Sequence, residues 1–181
     1  MAWLKLLRPT HWIKNFLIFI PLIFSLNVFQ VHYLWDAALA FISFSFIAST
    51  VYIINDYVDI ERDRQHPTKK SRPLASGEIS KMTAIALMIV LGGAGLAIGW
   101  TLGTLFLLVV TAYFILNLAY SVRLKHVVII DLLLVAACYV LRVYAGAKAI
   151  DVPTTSWLLF ITFFLALFII SGKRYSEFMN L

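Results

Sequence analysis

The chain has 181 residues, of which 62% are hydrophobic and only 13% are charged, and its formal net charge is +6 at neutral pH. So few charged side chains cannot cover an apolar core in water, and this composition excludes an ordinary globular domain, a secreted disulfide-stabilised domain and a disordered chain. The single cysteine, Cys138, lies in an apolar run and does not identify the redox compartment. We therefore expect an integral membrane protein.

Membrane spans are predicted from uncharged stretches that approach the roughly 20 residues an α-helix needs to cross a hydrocarbon layer of about 30 Å. One stretch is long enough for two spans, with a turn near residues 101–104. The pattern predicts an all-α, polytopic transmembrane bundle of about six helices. The predicted spans lie at about Phe16–Phe29, Ala37–Ile54, Met82–Val122 (two spans), Val127–Ile150 and Trp157–Gly172.

The basic residues alternate between the connections as the positive-inside rule requires. Of the 15 lysines and arginines, all except Arg142 and Lys148 lie in four segments. These segments precede the first span or follow the second, fourth and sixth spans. The distribution predicts a multi-pass protein of the plasma or inner membrane, with both termini and the segment after the second span in the cytoplasm. The positive charge then has a topological cause, and no nucleic-acid partner is expected.

An acidic cluster follows the second predicted span. If that helix continues through residues 55–63, Asp56, Asp59 and Asp63 stand at i, i+3 and i+7 on one face. Like charges so placed repel each other unless a divalent cation binds them, and Mg²⁺ prefers carboxylate oxygens and shares substrate phosphate oxygens. Asn55 adds a neutral oxygen ligand or an orienting amide. The spacing predicts a Mg²⁺ site; the alternative is a solvated loop whose acids balance nearby bases.

Cations and hydroxyl groups follow in residues 66–81. Such cations can neutralise the charge of a metal-bound diphosphate. Lys69 and Lys70 are candidate phosphate contacts, although a purely topological role explains them equally well. Gly77 is expected to shape the turn and Ser80 to cap the third helix. We interpret residues 55–81 as a cytoplasmic catalytic loop.

These motifs resemble the first signature of the UbiA-type prenyltransferase superfamily of integral membrane enzymes. The matching residues are Asn55-Asp56-x-x-Asp59-x-x-x-Asp63 and Arg72-Pro73-Leu74-Ala75-Ser76-Gly77. Segments 8–15, 120–125 with Asp131, 141–146 and 172–177 resemble one branch, the decaprenyl-phosphate phosphoribosyltransferases, so the resemblance covers the whole chain. Because such enzymes typically have nine spans, it implies that residues 1–181 form one domain lacking the C-terminal third.

The resemblance implies Mg²⁺-dependent transfer of a 5-phosphoribosyl group from 5-phosphoribosyl 1-diphosphate to a polyprenyl (decaprenyl) phosphate, with release of diphosphate, for cell-envelope precursor synthesis. The partners would be this lipid, this phosphorylated sugar and the membrane, and a homo-oligomer is compatible with the sequence. One alternative is transfer of a prenyl group from a prenyl diphosphate to an aromatic acceptor. Another is a non-enzymatic transporter, because Asp131 and Arg142 lie within a span.

The resemblance also assigns roles to residues. Asp56, Asp59 and Asp63 become metal and diphosphate ligands supported by Asn55, while Arg72 and either Lys69 or Lys70 contact phosphate. Further candidate contacts are Tyr120, Arg123 and Lys125 at the end of the fourth helix, although an aromatic belt and a topology signal also explain them. Lys173 and Arg174 stand where many relatives carry a second aspartate-rich motif, which favours a phosphate-rich ribosyl donor.

Three candidate substrate contacts lie within or beside the predicted spans. Asp131 and Arg142 are eleven residues apart, so on one helix they point in nearly the same direction, about 16 Å from each other. A deep arginine is a functional candidate, although pairing with carbonyls of neighbouring helices explains it equally well. Lys14 either steadies a phosphate or extends its amine to the membrane surface.

Overall fold

The structure, a computed structural model, describes residues 2–122 and 128–179, without the side chains of Val122, Val128, Glu177 and Phe178. The described residues form helices and no strand, which confirms the all-α class. The α-helices are α1 (Ala2–Leu7), α2 (Ile20–Phe24), α3 (Val31–Val58), α4 (Ile60–Gln65), α5 (Lys81–Thr101), α6 (Thr104–Val122), α7 (Val128–Ala149) and α8 (Ser156–Met179), and two 3₁₀ helices lie at Pro9–Phe19 and Lys69–Ser71.

Five helices, α3 and α5 to α8, are long and apolar enough to cross a membrane. They correspond to the second to sixth predicted spans, and the turn between α5 and α6 falls at residues 102–103, as expected. Gly103 has a φ of 100° there, a conformation that glycine adopts without steric cost. Ser80 caps α5 as predicted, its Oγ accepting a hydrogen bond from the Thr83 N–H at 3.1 Å.

The first predicted span, Phe16–Phe29, is wrong in its bounds and in its helix type. The chain forms an eleven-residue 3₁₀ helix, Pro9–Phe19, then α2, and residues 25–30 form turns. A 3₁₀ helix rises about 2.0 Å per residue against about 1.5 Å in an α-helix, so residues 9–24 cover about 30 Å. Sixteen residues therefore extend over about the thickness of a hydrocarbon layer.

The stretched geometry of this 3₁₀ helix matches the register of α3 beside it. Trp12 Nε1 donates to Ser49 Oγ at 3.0 Å, and Asn15 Nδ2 donates to Ser45 Oγ at 2.9 Å. Three residues of 3₁₀ helix and four residues of α-helix both advance about 6 Å along their axes. Trp12 and Asn15 therefore lie at the same heights as Ser49 and Ser45. Three residues of α-helix would advance only about 4.5 Å, and the second pair would slip out of register.

On its other side the 3₁₀ helix packs closely against α7 at Gly146. A Cβ atom on Gly146 would lie 2.0 Å from the carbonyl oxygen of Ile18, far inside van der Waals contact. The neighbouring residues Ala145, Ala147 and Ala149 are buried as well. Small residues let the two backbones approach and hold the 3₁₀ helix between α3 and α7.

Asp59 alone separates α3 from α4, and the helical hydrogen bonds continue through it. The Asp59 N–H donates to the Asn55 carbonyl at 3.0 Å, and the Asp63 N–H donates to the Asp59 carbonyl at 2.8 Å. The chain therefore keeps its helical direction, and Asp56 and Asp63 share a face, as the spacing predicts.

Candidate functional site

Two buried carboxylates and two arginines form an ionic cluster, comprising Asp56, Asp63, Arg8 and Arg72. Asp56 is 2% exposed and Asp63 is 3% exposed. Arg8 Nη2 donates to Asp56 Oδ1 at 2.6 Å. Arg72 Nη1 donates to both acids, at 3.1 Å to Asp56 Oδ1 and 2.7 Å to Asp63 Oδ2. The two guanidinium groups and the two carboxyl groups are matched in number, so each buried acid has a cationic partner.

Arg8 is the member of this cluster that sequence reasoning missed. It joins α1 to the 3₁₀ helix with a φ of 51°, a left-handed conformation that costs a non-glycine residue about 1–2 kcal/mol. Its guanidinium also lies over the ring of Tyr52, 5.2 Å from the centroid. This backbone strain occurs at the residue whose side chain forms an ion pair with Asp56. The available signal was its position in segment 8–15, one of the segments that carry the family resemblance.

The three predicted metal ligands do not converge on one point. In residues 2–122 and 128–179, no three acidic, histidine or cysteine side chains gather as a metal-binding group. Asp59 is less buried than its two neighbours and lies 3.9 Å from Arg62. However, one nitrogen of Arg72 reaches both Asp56 and Asp63, so a single positive centre fits between these two carboxylates. Their hard oxygen atoms are the ligands that Mg²⁺ prefers, and the pair therefore fits a divalent ion.

A second polar group joins α6, α7 and α8 around Asp131, which is 3% exposed. The Tyr120 hydroxyl donates to Asp131 Oδ1 at 2.7 Å, and Arg174 Nη2 donates to the other carboxylate oxygen. The structure thus brings together three predicted site residues and makes Arg174 the counter-ion of Asp131. Next to this group, Ser121 donates from its hydroxyl to Asn55 Oδ1, which ties α6 to the end of α3.

Arg142 lies deeper in the bundle, 4% exposed, among neutral partners. Its Nε donates to Asn15 Oδ1 at 2.9 Å, its Nη1 to the Cys138 carbonyl at 2.7 Å and its Nη2 to the Tyr113 hydroxyl at 3.1 Å. Its guanidinium also lies 5.0–5.5 Å from three aromatic ring centroids. The carbonyl that Arg142 contacts belongs to its own helix and not, as expected, to a neighbouring one. Its described hydrogen bonds to the 3₁₀ helix and α6 go to side chains.

Arg142 borders a cavity of about 270 Å³. The cavity also contacts Lys14 and His11 of the 3₁₀ helix, Asn55 near the end of α3 and Tyr120 of α6. Two separately predicted sets of residues, at the end of α3 and within α7, therefore line one space. The other residues lining the cavity are Val51, Tyr52, Tyr113, Leu116, Asn117, Leu134, Val135, Cys138 and Tyr139.

The remaining predicted contacts are more peripheral. Lys69 and Lys70 are exposed on the 3₁₀ helix Lys69–Ser71, and the structure does not bring them into the ionic cluster. Lys173 of α8 lies within electrostatic reach of His11 and Lys14. Arg123 and Lys125 lie outside the described residues, as does the side chain of Glu177.

Comparison with known sequences finds a family model, the UbiA prenyltransferase family, that matches residues 16–174. The chain is 38% identical over 177 residues to the decaprenyl-phosphate phosphoribosyltransferase of Mycobacterium tuberculosis, covering 96% of this chain and 59% of that protein. It is 37% identical over 178 residues to the enzyme of the same name from Corynebacterium glutamicum, covering 96% of this chain and 54% of that one. The chain thus spans little more than half the length of these curated relatives.

Comparison with solved structures finds a UbiA homolog from Archaeoglobus fulgidus bound to GPP and Mg²⁺. The TM-score is 0.78 at 27% identity, and the match covers 99% of this chain and 64% of that one. The helical arrangement described above is therefore shared with a protein whose structure was solved bound to GPP and Mg²⁺.

Proposed function

The chain belongs to the UbiA prenyltransferase family and is an integral membrane protein, and from that premise we propose that it transfers a 5-phosphoribosyl group from 5-phosphoribosyl 1-diphosphate to a polyprenyl phosphate. The bond between the anomeric carbon and diphosphate breaks, and its electron pair leaves with diphosphate. An oxygen of the lipid phosphate forms the new bond to the same carbon. The product is a lipid-linked phosphoribose suited to cell-envelope synthesis.

The ionic cluster is the observation that carries this proposal. Asp56 and Asp63 would hold Mg²⁺, which when bound supplies positive charge to the departing diphosphate. Arg8 and Arg72, whose side chains are 22% and 29% exposed, would then exchange their carboxylate partners for phosphate oxygens. Guanidinium groups suit this role because they bind phosphate through paired N–H donors. Asp59, which is more exposed than Asp56 and Asp63, would add negative charge at this end of α3.

The cavity supports the proposal because Asn55, the residue before Asp56, lines it, and the cavity would let an acceptor from the membrane approach the donor. Apolar side chains of α6 and α7 contribute to its wall. Such a wall limits the access of water, which would otherwise compete with the lipid phosphate for the anomeric carbon. Tyr120, whose hydroxyl donates to Asp131, lines the cavity together with Asn55, the residue before Asp56.

The activity is tested by supplying the protein in membranes with labelled 5-phosphoribosyl 1-diphosphate and decaprenyl phosphate. We expect labelled lipid to form with Mg²⁺ and not in excess EDTA. A second candidate is prenyl transfer to an aromatic acceptor, which is favoured by the similarity to a homolog bound to GPP. Turnover of a prenyl diphosphate with an aromatic acid, but not of the ribosyl donor, would replace the first proposal by the second.

We further propose that the protein lies in the plasma or inner membrane with its N-terminus and residues 55–81 in the cytoplasm. The supporting observation is the concentration of lysine and arginine in alternate connections. The single native cysteine, Cys138, is buried, so introduced cysteines can be labelled selectively. A membrane-impermeant maleimide should label Thr155→Cys in intact cells and Lys70→Cys only after lysis, since both positions are exposed; the reverse pattern would invert the topology.

A further inference from the structure

The cavity has an unbalanced charge. Among the described residues that line it there are two strongly basic side chains, Lys14 and Arg142, and no aspartate or glutamate. The ionic cluster differs, because there each arginine meets a carboxylate. Placing positive charge at membrane depth is costly unless a partner or a ligand compensates it. The cavity is therefore electrostatically suited to an anion.

Arg142 retains hydrogen-bonding capacity toward such an anion. A guanidinium carries five N–H groups, and the described contacts use three of them, toward Asn15, Cys138 and Tyr113. All three acceptors are neutral, so they hold the guanidinium in place without cancelling its charge. One N–H on each terminal nitrogen remains for a ligand. This arrangement presents a fixed cation at the cavity wall.

The 3₁₀ helix supplies the second cation through its geometry. Side chains three residues apart eclipse each other in a 3₁₀ helix, so His11 and Lys14 lie in one row, about 6 Å apart along the axis. Both line the cavity. In an α-helix the same residues would be rotated by about 60° from each other. Lys14 forms no hydrogen bond or ion pair within the described part of the chain, so its ammonium is available to a ligand.

We propose that Lys14 and Arg142 form a binding site for a phosphate monoester, separate from the ionic cluster. Two cations match a group that carries up to two negative charges near neutral pH. The volume of about 270 Å³ admits a phosphate with part of its attached chain or sugar. The inference rests on the proposed function in one respect: that reaction offers two monoesters, the head of the lipid acceptor and the 5-phosphate of the donor.

The test measures binding of short probes to the purified protein in excess EDTA, so that a metal-dependent site at Asp56 and Asp63 does not contribute. The probes are geranyl phosphate, ribose 5-phosphate and the neutral alcohol geraniol. At least one monoester should bind, and Lys14→Gln should weaken it about 10-fold or more, because charge-assisted hydrogen bonds are roughly twice as strong as neutral ones. Lys14→Arg should restore binding.

Lys148→Gln is the matched control, because Lys148 also lies on a helix beside the cavity but its ammonium faces the ring of Tyr144. It should leave the dissociation constant within about twofold, because Lys148 does not line the cavity. Arg142→Lys keeps the charge but loses the paired N–H donors of the guanidinium. In protein whose elution volume is unchanged, it should weaken binding less than Lys14→Gln does.

The preferred monoester identifies the source: tighter geranyl phosphate indicates the lipid head, and tighter ribose 5-phosphate indicates the donor's 5-phosphate. The proposal is overturned if neither monoester binds, if geraniol binds as tightly as geranyl phosphate and ribose 5-phosphate does not bind, or if Lys14→Gln binds like the wild type. Because no metal or turnover is needed, a positive result stands even where phosphoribosyl transfer fails, and a negative result leaves that transfer intact.

Discussion

The ionic cluster and the surroundings of Arg142 differ in how a buried charge is compensated. In the first, Asp56 and Asp63 meet Arg8 and Arg72, and acid and base compensate each other. In the second, Arg142 is almost fully buried, and its hydrogen-bond partners among the described residues are neutral oxygens beside aromatic rings. The first arrangement can exchange one cation for another, since its arginines are partly exposed. The second cannot release Arg142 without breaking contacts among three helices.

The difference indicates a division of labour. Exchangeable ion pairs suit a site where a metal and diphosphate arrive and leave, because Coulombic partners can be replaced by others of the same sign. A cation fixed by neutral hydrogen bonds suits a site that keeps its charge for a ligand and also holds helices together. Substitutions should therefore affect mainly activity in the ionic cluster and mainly stability around Arg142.

The largest effect is expected from Asp56→Asn. The change removes a carboxylate that both arginines contact, and with it a proposed metal ligand, so transfer activity should fall by about 10³-fold or more. The variant is assayed for labelled lipid after its insertion and elution volume are checked. Asp36→Asn, at the other end of α3, serves as the control and should keep near wild-type activity. Full activity in Asp56→Asn would remove the ionic cluster from the mechanism.

An intermediate effect is expected from Gly146→Ala, which tests the helix contact beside Arg142. The added methyl group would lie 2.0 Å from the Ile18 carbonyl oxygen and must push the 3₁₀ helix away from α7. Overpacking of this kind costs about 1–3 kcal/mol or more. Thermal unfolding in detergent should show the loss. Gly93→Ala in α5, where a Cβ meets nothing within 4 Å, should be neutral or slightly stabilising.

The smallest effect is expected from Tyr113→Phe. It deletes one of three acceptors of Arg142 and keeps the ring beneath the guanidinium, so stability should fall by about 1 kcal/mol. Tyr139→Phe also keeps a ring beside Arg142 and removes no described hydrogen bond, so it should leave the unfolding temperature nearly unchanged. Equal losses in the two variants would show that Arg142 does not depend on the Tyr113 hydroxyl.

Much of the fold was predictable, and the errors have physical causes. Hydropathy located the second to sixth spans because each is a long apolar α-helix. It misplaced the first because uncharged stretches set the bounds of each span, whereas the 3₁₀ helix Pro9–Phe19 begins before Lys14 and contains it. Propensity gives no warning of this, since the geometry follows from the contacts with Ser45, Ser49 and the carbonyl-to-glycine contact at Gly146.

The site was predictable where it depends on spacing along one helix. Asp56 and Asp63 share a face because seven residues make nearly two turns, and this follows from sequence separation alone. The spacing also placed Asp59 with them, yet the structure leaves Asp59 at the rim beside Arg62. Arg72 was identified through the family motif, whereas Arg8, 48 residues from its partner Asp56, was not.

The amino-acid sequence by itself determined the membrane environment, the all-α class, the asymmetry of basic residues and the pairing of acids on one helical face. These are local properties, set by side-chain chemistry and by a fixed number of residues per turn. Tertiary structure alone decided which cation meets which acid and that Asn15 receives a hydrogen bond from Arg142, 127 residues away. Such contacts depend on how helices lie against each other. At Pro9–Phe19 that packing also decided the rise per residue, which is that of a 3₁₀ helix and not of an α-helix.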